Sequence, residues 1–236
     1  SVGKLKYHGV KTAWDLTQKT ESWVQRMLTI TGVRTWRELR GESCICIDEL
    51  PHKQSICTSR SFPDGGLTNR ADVEEALANF AARCSSKMRR ENTVCKAISI
   101  FAYTNRFRSD LPSDYIYQTY YPLVPTSDLN EIVGYVVGML RSAWKGDGKF
   151  NYKKAGVLVW NIVDSLPIQG NLFDTFDREK QAQLSRAIDE VNRKNGHNAI
   201  RMAVQGYSKK WHLKCEYISK QYTTNIDDII KLKLNK

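Results

Sequence analysis

Two amphipathic helices, each lying between β-favouring runs, restrict the possible folds of this 236-residue chain more than any other feature. Apolar residues repeat at helical spacing from Val73 to Met88, and again from Leu129 to Trp144. The β-favouring runs, in chain order, are SICTSRSF, KAISIFAY, YIYQTYYP and AGVLVWNIV. The resulting order β-α-β-β-α-β predicts an α+β fold, in which a four-stranded antiparallel sheet carries both helices on one face.

Short helices are predicted before this domain, in residues 1–41. Gly9 can end a first helix, and Thr12 can cap the one that follows it. Thr20 can cap a third helix, which we expect to stop at Gly32. The stretch RTWRELRG then predicts one more helical segment before the chain leaves this region.

Loss of apolar periodicity marks the connecting segments. We expect a linker at residues 42–54, the sheet domain at 55–163, a second linker at 164–176 and an extension at 177–236. The extension has a helical pattern near residues 178–194. The run AIRMAVQ then predicts a short final strand, which gives a helix-strand extension.

An excess of basic residues indicates a polyanionic partner. The chain has 36 Lys and Arg against 25 Asp and Glu, a formal net charge of +11. Neutralising phosphates with such side chains releases condensed counterions, which favours nucleic-acid binding. The alternative is a basic protein whose charges are only solvated.

Other sequence features narrow the class of protein. A composition of 41% hydrophobic and 26% charged residues is that of a folded globular chain. No apolar run approaches the roughly 20 residues of a membrane-spanning helix, and no signal segment is visible, so we expect a soluble, cytoplasmic protein. The six cysteines and four histidines do not form paired zinc-ligand spacings, so we expect reduced, mostly buried thiols and no metal.

Several motifs, in order, resemble one protein family. They are GVKTAWDL, GVRTWRELRG, SRSF, YKKAGVLV, NLFD and AIDEVNRKNG, followed by a tryptophan and YTT. Together they resemble the C-terminal half of the UmuC-type Y-family translesion DNA polymerases, the polymerase subunits of bacterial error-prone polymerase V. The resemblance covers essentially the whole chain. It implies a partial thumb with a helix-hairpin-helix remnant at 1–41, a little-finger DNA-binding domain at 55–163 and a UmuC-specific extension at 177–236.

The resemblance also sets an expectation about catalysis. In Y-family polymerases the palm precedes the thumb, and palm carboxylates hold the metal ions for phosphoryl transfer. Because the chain begins within thumb-like sequence, we expect it to lack those carboxylates and to be inactive alone, as a natural truncation or an engineered fragment. No catalytic residue and no cofactor are therefore assigned, although Mg²⁺ is expected for the intact DNA-directed polymerase.

DNA-binding residues are predicted mainly around the first strand. By the resemblance, Ser59, Arg60 and Ser61 contact the DNA backbone, with Arg60 able to bind phosphate bidentately. The alternative is that Arg60 pairs with a nearby acid. The remaining candidates are all basic. Arg83, Lys87 and Arg90 form a stripe along one face of the first long helix. Lys153 and Lys154 begin the last strand, and Lys6 and Lys11 lie in the helix-hairpin-helix remnant.

Each of these further candidates has an ordinary structural explanation. The helix stripe can simply be a basic last turn that suits the helix dipole, and the remnant can be a solvated basic face. The strand aromatics could stack bases, as they do in single-strand binders. We expect them instead in the core or in cross-strand pairs; they are Tyr115, Tyr117, Tyr120 and Tyr121.

A second partner is predicted from the linker after the sheet domain. Gln169, Leu172 and Phe173 resemble the Gln-x-x-Leu-Phe peptide that docks on the bacterial sliding clamp. The alternative is a connector that packs Phe173 back onto the sheet. The family also implies a UmuD-type subunit and a recombinase filament as partners in the SOS response, and the extension is the candidate contact region.

Two other functions remain as alternatives. An RRM-like single-stranded nucleic-acid binding module shares the β-α-β-β-α-β order, but KAISIFAY lacks the Gly-Phe-Gly-Phe core of that family. An independent enzyme is the third possibility. No recognisable set of nucleophile, base and orienting group supports it.

Overall fold

The computed structural model describes residues 1–45, 52–63, 65–166, 170–174, 176–196, 198–208, 210–212 and 217–230. The chain divides into two compact units, Ser1–His52 and Lys53–Lys236. The second unit contains both the predicted sheet domain and the predicted extension. Within the described residues, no helix has the length and apolar character needed to cross a membrane.

The described residues of the first unit form three helices: α1 (Val2–Tyr7), α2 (Ala13–Thr17) and α3 (Glu21–Leu39). Thr12 caps α2 as predicted, since its Oγ1 accepts from the Asp15 amide at 3.1 Å while Asp15 Oδ2 accepts from the Thr12 amide at 2.9 Å. The small apolar core of this unit is formed by buried side chains from α2, from α3 and from the loop before α2: Val10, Leu16, Val24, Val33 and Trp36.

The third helix does not stop where the sequence predicts. Thr20 caps it as expected, but the helical path breaks at Thr29, which has φ 63°, and Gly32 lies inside the helical segment that follows. The prediction of a stop at Gly32 was therefore wrong. A Cβ at this glycine would lie 2.2 Å from Leu28 Cβ, so Gly32 permits a close approach at the kink.

The second unit is built on a four-stranded antiparallel sheet in the order β1-β4-β2-β3. Its strands are β1 (Ser55–Ser61), β2 (Thr93–Thr104), β3 (Tyr115–Tyr120) and β4 (Tyr152–Asp164). The central pair, β2 and β4, places Ile98 opposite Val159 and Ile100 opposite Val157. This order makes β1 an edge strand, which offers one row of main-chain groups outward.

Two long helices cover one face of the sheet: α4 (Arg70–Arg90) and α5 (Leu129–Ala143). Their fully buried Leu77, Phe80 and Ile132 join the inward-facing strand residues in one hydrophobic core. Burial of each such side chain contributes about 1.5–3 kcal/mol to the stability of the unit. The predicted α+β class, with both helices on one face, is confirmed.

The C-terminal region packs on α4, and residues 199–205 do not form a strand there. Helix α6 (Arg178–Asn195) is followed by a 3₁₀ turn, Ala203–Gln205, and a second one, Ile226–Asp228. The strand predicted from AIRMAVQ was therefore wrong. The turn is held by buried hydrogen bonds, in which Asn79 Nδ2 donates to the Gln205 carbonyl at 2.7 Å and Gln205 Nε2 donates to Asn79 Oδ1 at 3.3 Å. A strand in this place would lose that pairing.

Candidate nucleic-acid interface

Strand β1 places the predicted phosphate-binding residues on opposite faces of the sheet. The Cys84 thiol of α4 donates to Thr58 Oγ1 at 3.2 Å, so Thr58 faces the helices, and Arg60 follows two residues later on the same side. Ser59 faces the open side, where its Cβ lies close above Gly156. Ser61 shares that open side. At this edge of the sheet, Arg60 therefore lies on the helix-covered face, and Ser59 and Ser61 lie on the open face.

Arg60 and Arg83 form a basic pair beside this edge. Burial, together with the charge of Arg60, lowers the pKa of the Arg83 guanidinium. The Arg60 guanidinium carbon also lies 5.9 Å from the centre of the Trp211 ring. Among the residues that the structure describes, neither arginine has an acidic partner within salt-bridge distance, so the predicted alternative of a local acid for Arg60 is not observed there.

The rest of the helix stripe is exposed. Lys87 and Arg90 lie in the last turns of α4 with Arg89 between them. Arg89 has a structural role, because its guanidinium donates two hydrogen bonds of 2.7 Å to the Asp189 carboxylate of α6. Lys87 continues the basic edge from Arg83, four residues earlier on the same helical face.

Lys153 and Lys154 differ in what they can offer a ligand. The Lys153 ammonium donates to the Phe62 carbonyl at 2.6 Å, which holds it against the end of β1. Lys154 pairs in register with Ser61 on β1, on the open side of the sheet. The structure therefore brings Lys154 together with Ser59 and Ser61.

Lys6 and Lys11 belong to the first compact unit and are both exposed. Lys6 lies on the short helix α1, and Lys11 directly precedes the capping residue of α2, where its amide donates to Asp15 Oδ2 at 2.9 Å. Both side chains are therefore accessible to solvent on the first unit.

The strand tyrosines do not enter the core as a group. Tyr115 and Tyr117 are 61% and 48% exposed, so they do not lie in the core; they form instead the other expected arrangement, cross-strand pairs, with Tyr103 and Phe101. The helices cover only one face of the sheet, and alternation puts these two side chains on the other. Tyr120 instead stacks on Tyr135 of α5 at 4.2 Å between ring centroids, and Tyr121 meets Trp160 edge-on at 5.9 Å.

The predicted clamp-binding peptide is only partly within the described residues. Gln169 lies outside them. Leu172 and Phe173 are 95% and 79% exposed on a turn that Asn171 stabilises, since Asn171 Oδ1 accepts from the Phe173 amide at 2.9 Å. The alternative in which Phe173 packs back on the sheet is therefore not observed.

An ion-pair network fixes the chain just after this turn. Arg178, at the start of α6, donates to both carboxylate oxygens of the buried Glu131 at 3.2 Å and also pairs with Asp174. Since Glu131 belongs to α5, the network joins the turn to the helical layer. The exposed apolar pair thus projects from an anchored segment.

The described residues show no group of three or more His, Cys, Asp and Glu side chains able to hold a metal ion. Two of the cysteines, Cys84 and Cys95, are fully buried. Burial raises the pKa of the Cys84 thiol to about 11 and that of Cys95 to about 12, so both are protonated at neutral pH. These thiols are structural groups.

Comparison with known proteins gives two family matches. Residues 53–172 match the impB/mucB/samB family C-terminal domain, and residues 182–232 match a domain of unknown function, DUF4113. The first match covers the whole four-stranded sheet and the helices α4 and α5. It takes in just over half of the chain.

Curated relatives extend the similarity along the chain. Protein UmuC of Salmonella typhimurium is 35% identical over 98% of this chain and 54% of its own length, and protein SamB of the same organism is 34% identical over 98% and 54%. Protein MucB of Escherichia coli is 32% identical over 92% of this chain and 51% of its own length. The chain spans about half the length of these relatives. With the family model over the sheet domain and these relatives along the rest, the chain belongs to the impB/mucB/samB family of UmuC-type Y-family polymerases.

Proposed function

We propose that this chain is the DNA-binding and recruitment portion of an error-prone translesion DNA polymerase, which acts in SOS DNA repair and mutagenesis. The observation that carries the proposal is the Arg60–Arg83 pair beside the edge strand of the family domain, with no acidic partner among the described residues. Two adjacent cations repel each other, and among the described residues no carboxylate offsets this repulsion. A phosphate group between or beside them would relieve that repulsion.

In this proposal the sheet domain acts as a little finger that grips the DNA backbone from both sides of β1. Arg60, Arg83 and Lys87 bind phosphates on the helix side, while Ser59, Ser61 and Lys154 bind them on the open side. None of these groups needs to read a base, so binding to primer-template DNA, damaged or not, is nearly independent of sequence. Lys153, held by Phe62, and Arg90 add to the local positive potential.

The helical unit would add a second backbone contact through Lys6 and Lys11. Both side chains are exposed, and Lys11 directly precedes the N-terminus of α2. Exposed lysine side chains of this kind bind phosphate without sequence preference. Their contribution is smaller than that of the strand edge, because each is a lone point charge.

Recruitment would use the turn that displays Leu172 and Phe173. An apolar pocket on a sliding clamp could bury both side chains, each with a contribution of about 1.5–3 kcal/mol, while Gln169 supplies hydrogen bonds at one end. The exposure of the two side chains and the anchoring of Arg178 support this proposal. The chain needs no unfolding to present them.

Association with a UmuD-type subunit and a recombinase filament is also proposed, with the C-terminal region as the candidate contact. Charge reversal at Lys180 tests this better than at Arg178, because Arg178 holds Glu131 and Asp174 in the fold. Lys180→Glu should weaken co-purification with a UmuD-type subunit if α6 forms the contact. Unchanged association would exclude this position.

The test of DNA binding is a fluorescence-anisotropy titration of the full chain on two primer-template duplexes of unrelated sequence. Wild-type chain should bind both with similar affinity. The triple variant Arg60→Ala, Arg83→Ala, Lys87→Ala should bind both at least tenfold more weakly. The control triple Lys180→Ala, Arg186→Ala, Lys220→Ala removes the same charge elsewhere and should lose much less. Strong preference for one sequence, or equal losses in both triples, would contradict the proposal.

A further inference from the structure

We infer that the open face of the sheet carries a second nucleic-acid site, on which unpaired bases of single-stranded DNA stack against Phe101, Tyr103, Tyr115 and Tyr117. These four residues are called the aromatic platform below. The inference deepens the proposed DNA-binding function and rests on it for the identity of the polymer. The aromatic platform would bind the bases, whereas the edge strand β1 and its neighbours would bind the phosphates.

The platform is a two-by-two array of rings on neighbouring strands. Phe101 pairs in register with Tyr117, and Tyr103 pairs with Tyr115. Along each strand the rings are nearly parallel, with 17° and 6.1 Å between Phe101 and Tyr103, and 10° and 6.2 Å between Tyr115 and Tyr117. Across the strands, Tyr103 and Tyr115 lie 6.5 Å apart. The four rings thus form one continuous aromatic surface.

The inner half of the platform is held in place by the sheet beneath it. The Phe101 ring lies over Gly156 of β4, where a Cβ would come within 2.4 Å of its Cζ atom. Nearby, Trp160 Nε1 donates to Ser99 Oγ at 2.9 Å, and Ser99 shares a 2.8 Å hydrogen bond with Thr119. These contacts fix Phe101 and join β2 to its neighbours on both sides, so the outer tyrosines lie beside an ordered ring.

Charge around the platform suits a polyanion. The open-face positions of residues 59–61, 99–103, 115–119 and 154–160 include Lys154 and no acidic side chain. Beside Tyr103 and Tyr115 lies a cavity of about 430 Å³, which Arg106 and Ser113 also line. Arg106 is exposed and forms no ion pair within the described part of the chain. It is placed to bind the phosphate of a nucleotide whose base stacks on Tyr115.

The one carboxylate in this cavity does not oppose a phosphate strongly. The Asp114 side chain is only 6% exposed, and it is neutralised by an ion pair with Lys145 and a 2.6 Å hydrogen bond from the Tyr152 hydroxyl. Its charge is therefore already satisfied inside the fold. The cavity is within the size range of small-ligand sites and large enough for one nucleotide.

Unpaired bases fit this surface better than other occupants. In the interior of a duplex both faces of each base are already stacked, whereas an unpaired base offers a free π-face to a tyrosine ring. Stacking on aromatic rings tolerates any base. A hydrophobic protein partner is disfavoured by Lys154, Arg106 and the serine and threonine hydroxyls around the rings, since burying them would cost free energy.

The test compares the full chain on a blunt duplex and on the same duplex with a single-stranded extension that contains 2-aminopurine. Wild-type chain should bind the extended DNA more tightly and change the 2-aminopurine fluorescence. The double variant Tyr115→Ala, Tyr117→Ala should bind the extended DNA about tenfold or more weakly, with blunt-duplex affinity unchanged. The variant Tyr115→Phe, Tyr117→Phe keeps the rings and should behave as wild type.

Tyr207→Ala is the matched control, because Tyr207 is also exposed but lies in the C-terminal region. It should leave both affinities unchanged. The inference is overturned if the double alanine variant binds extended DNA as well as wild type, if the phenylalanine variant loses as much, or if blunt duplex is weakened equally. Failure of wild-type chain to bind blunt duplex would instead contradict the strand-edge proposal. The binding of extended DNA by wild type and by the tyrosine variants would still test the aromatic platform.

Discussion

The environment of Asp114 allows a specific prediction about the free energy of unfolding. Its nearly buried carboxylate accepts from the Tyr152 hydroxyl at 2.6 Å and pairs with Lys145, which links the start of β3 to β4 and to the end of α5. Although burial opposes ionisation, these hydrogen bonds hold the pKa of Asp114 below its usual value. The ionised form therefore stabilises the folded state.

We predict that Asp114→Asn lowers the free energy of unfolding by about 1.5–3 kcal/mol at pH 7, measured by urea denaturation. Because the folded-state pKa is depressed, this contribution is present above the unfolded-state pKa of 3.8 and is lost as pH falls through the folded-state pKa. The difference between wild type and variant should accordingly shrink as the pH is lowered below about 4. Asp110→Asn, which removes an exposed pair with Arg108, is the control and should change stability little. A pH-independent difference at Asp114 would refute the argument.

Sequence reasoning at single residues succeeded for local contacts and missed contacts between distant segments. Thr12 and Thr20 were predicted as helix caps, because a cap depends on the next three residues only. The pairing of Arg89 with Asp189, across 100 residues, has no local signal. The separation of Arg60 from Ser59 and Ser61 could have been predicted, since side chains alternate along a strand.

Among the helices and strands, hydrophobic periodicity predicted correctly those elements that pack against the main core. The order of strands and helices from β1 to β4 is the predicted one. The prediction failed for AIRMAVQ, because Met202 and Val204 pack against the main core from a 3₁₀ turn, which Asn79 and Gln205 hold on α4 by hydrogen bonds. A period alone does not identify the surface that an element meets.

The turn at residues 170–174 is the element on which the recruitment proposal depends. Leu172→Ala with Phe173→Ala should leave the free energy of unfolding unchanged, because both side chains are exposed in the free chain. The same variant should weaken binding to a bacterial sliding clamp by about 100-fold or more, through lost burial of two apolar side chains. Leu123→Ala, also at an exposed leucine, is the control. Clamp affinity, measured by surface plasmon resonance, that stays at the wild-type value would exclude this turn.

At the scale of the whole molecule, the C-terminal region is a structural part of the second unit. Trp211 is 3% exposed, packs edge-on against Phe80 at 5.4 Å and donates from Nε1 to Glu75 at 3.1 Å. It also lies below Arg60. The region matched as a domain of unknown function therefore supports the helix layer beside the proposed DNA-binding edge.

Trp211→Ala should lower the free energy of unfolding of the second unit by about 3–5 kcal/mol, because it removes a large buried ring and leaves Glu75 without that donor. Tyr207→Ala, which removes an exposed ring four residues earlier, should change it by less than about 0.5 kcal/mol. Thermal or urea unfolding of both variants measures the difference. Equal stability of the two would mean that the C-terminal region is only loosely associated with the core.

The proposal depends on the cations at the edge of the sheet, which have no acidic partner within the described ranges and are proposed to bind the DNA backbone. Its most direct test is the salt dependence of duplex binding by the full chain, read as the slope of log affinity against log salt concentration. Each phosphate contact contributes about 0.9 to that slope, so wild type should show a steep decline, and the triple variant Arg60→Ala, Arg83→Ala, Lys87→Ala should have a slope shallower by about 2 to 3. Equal slopes for the two proteins would contradict the claim.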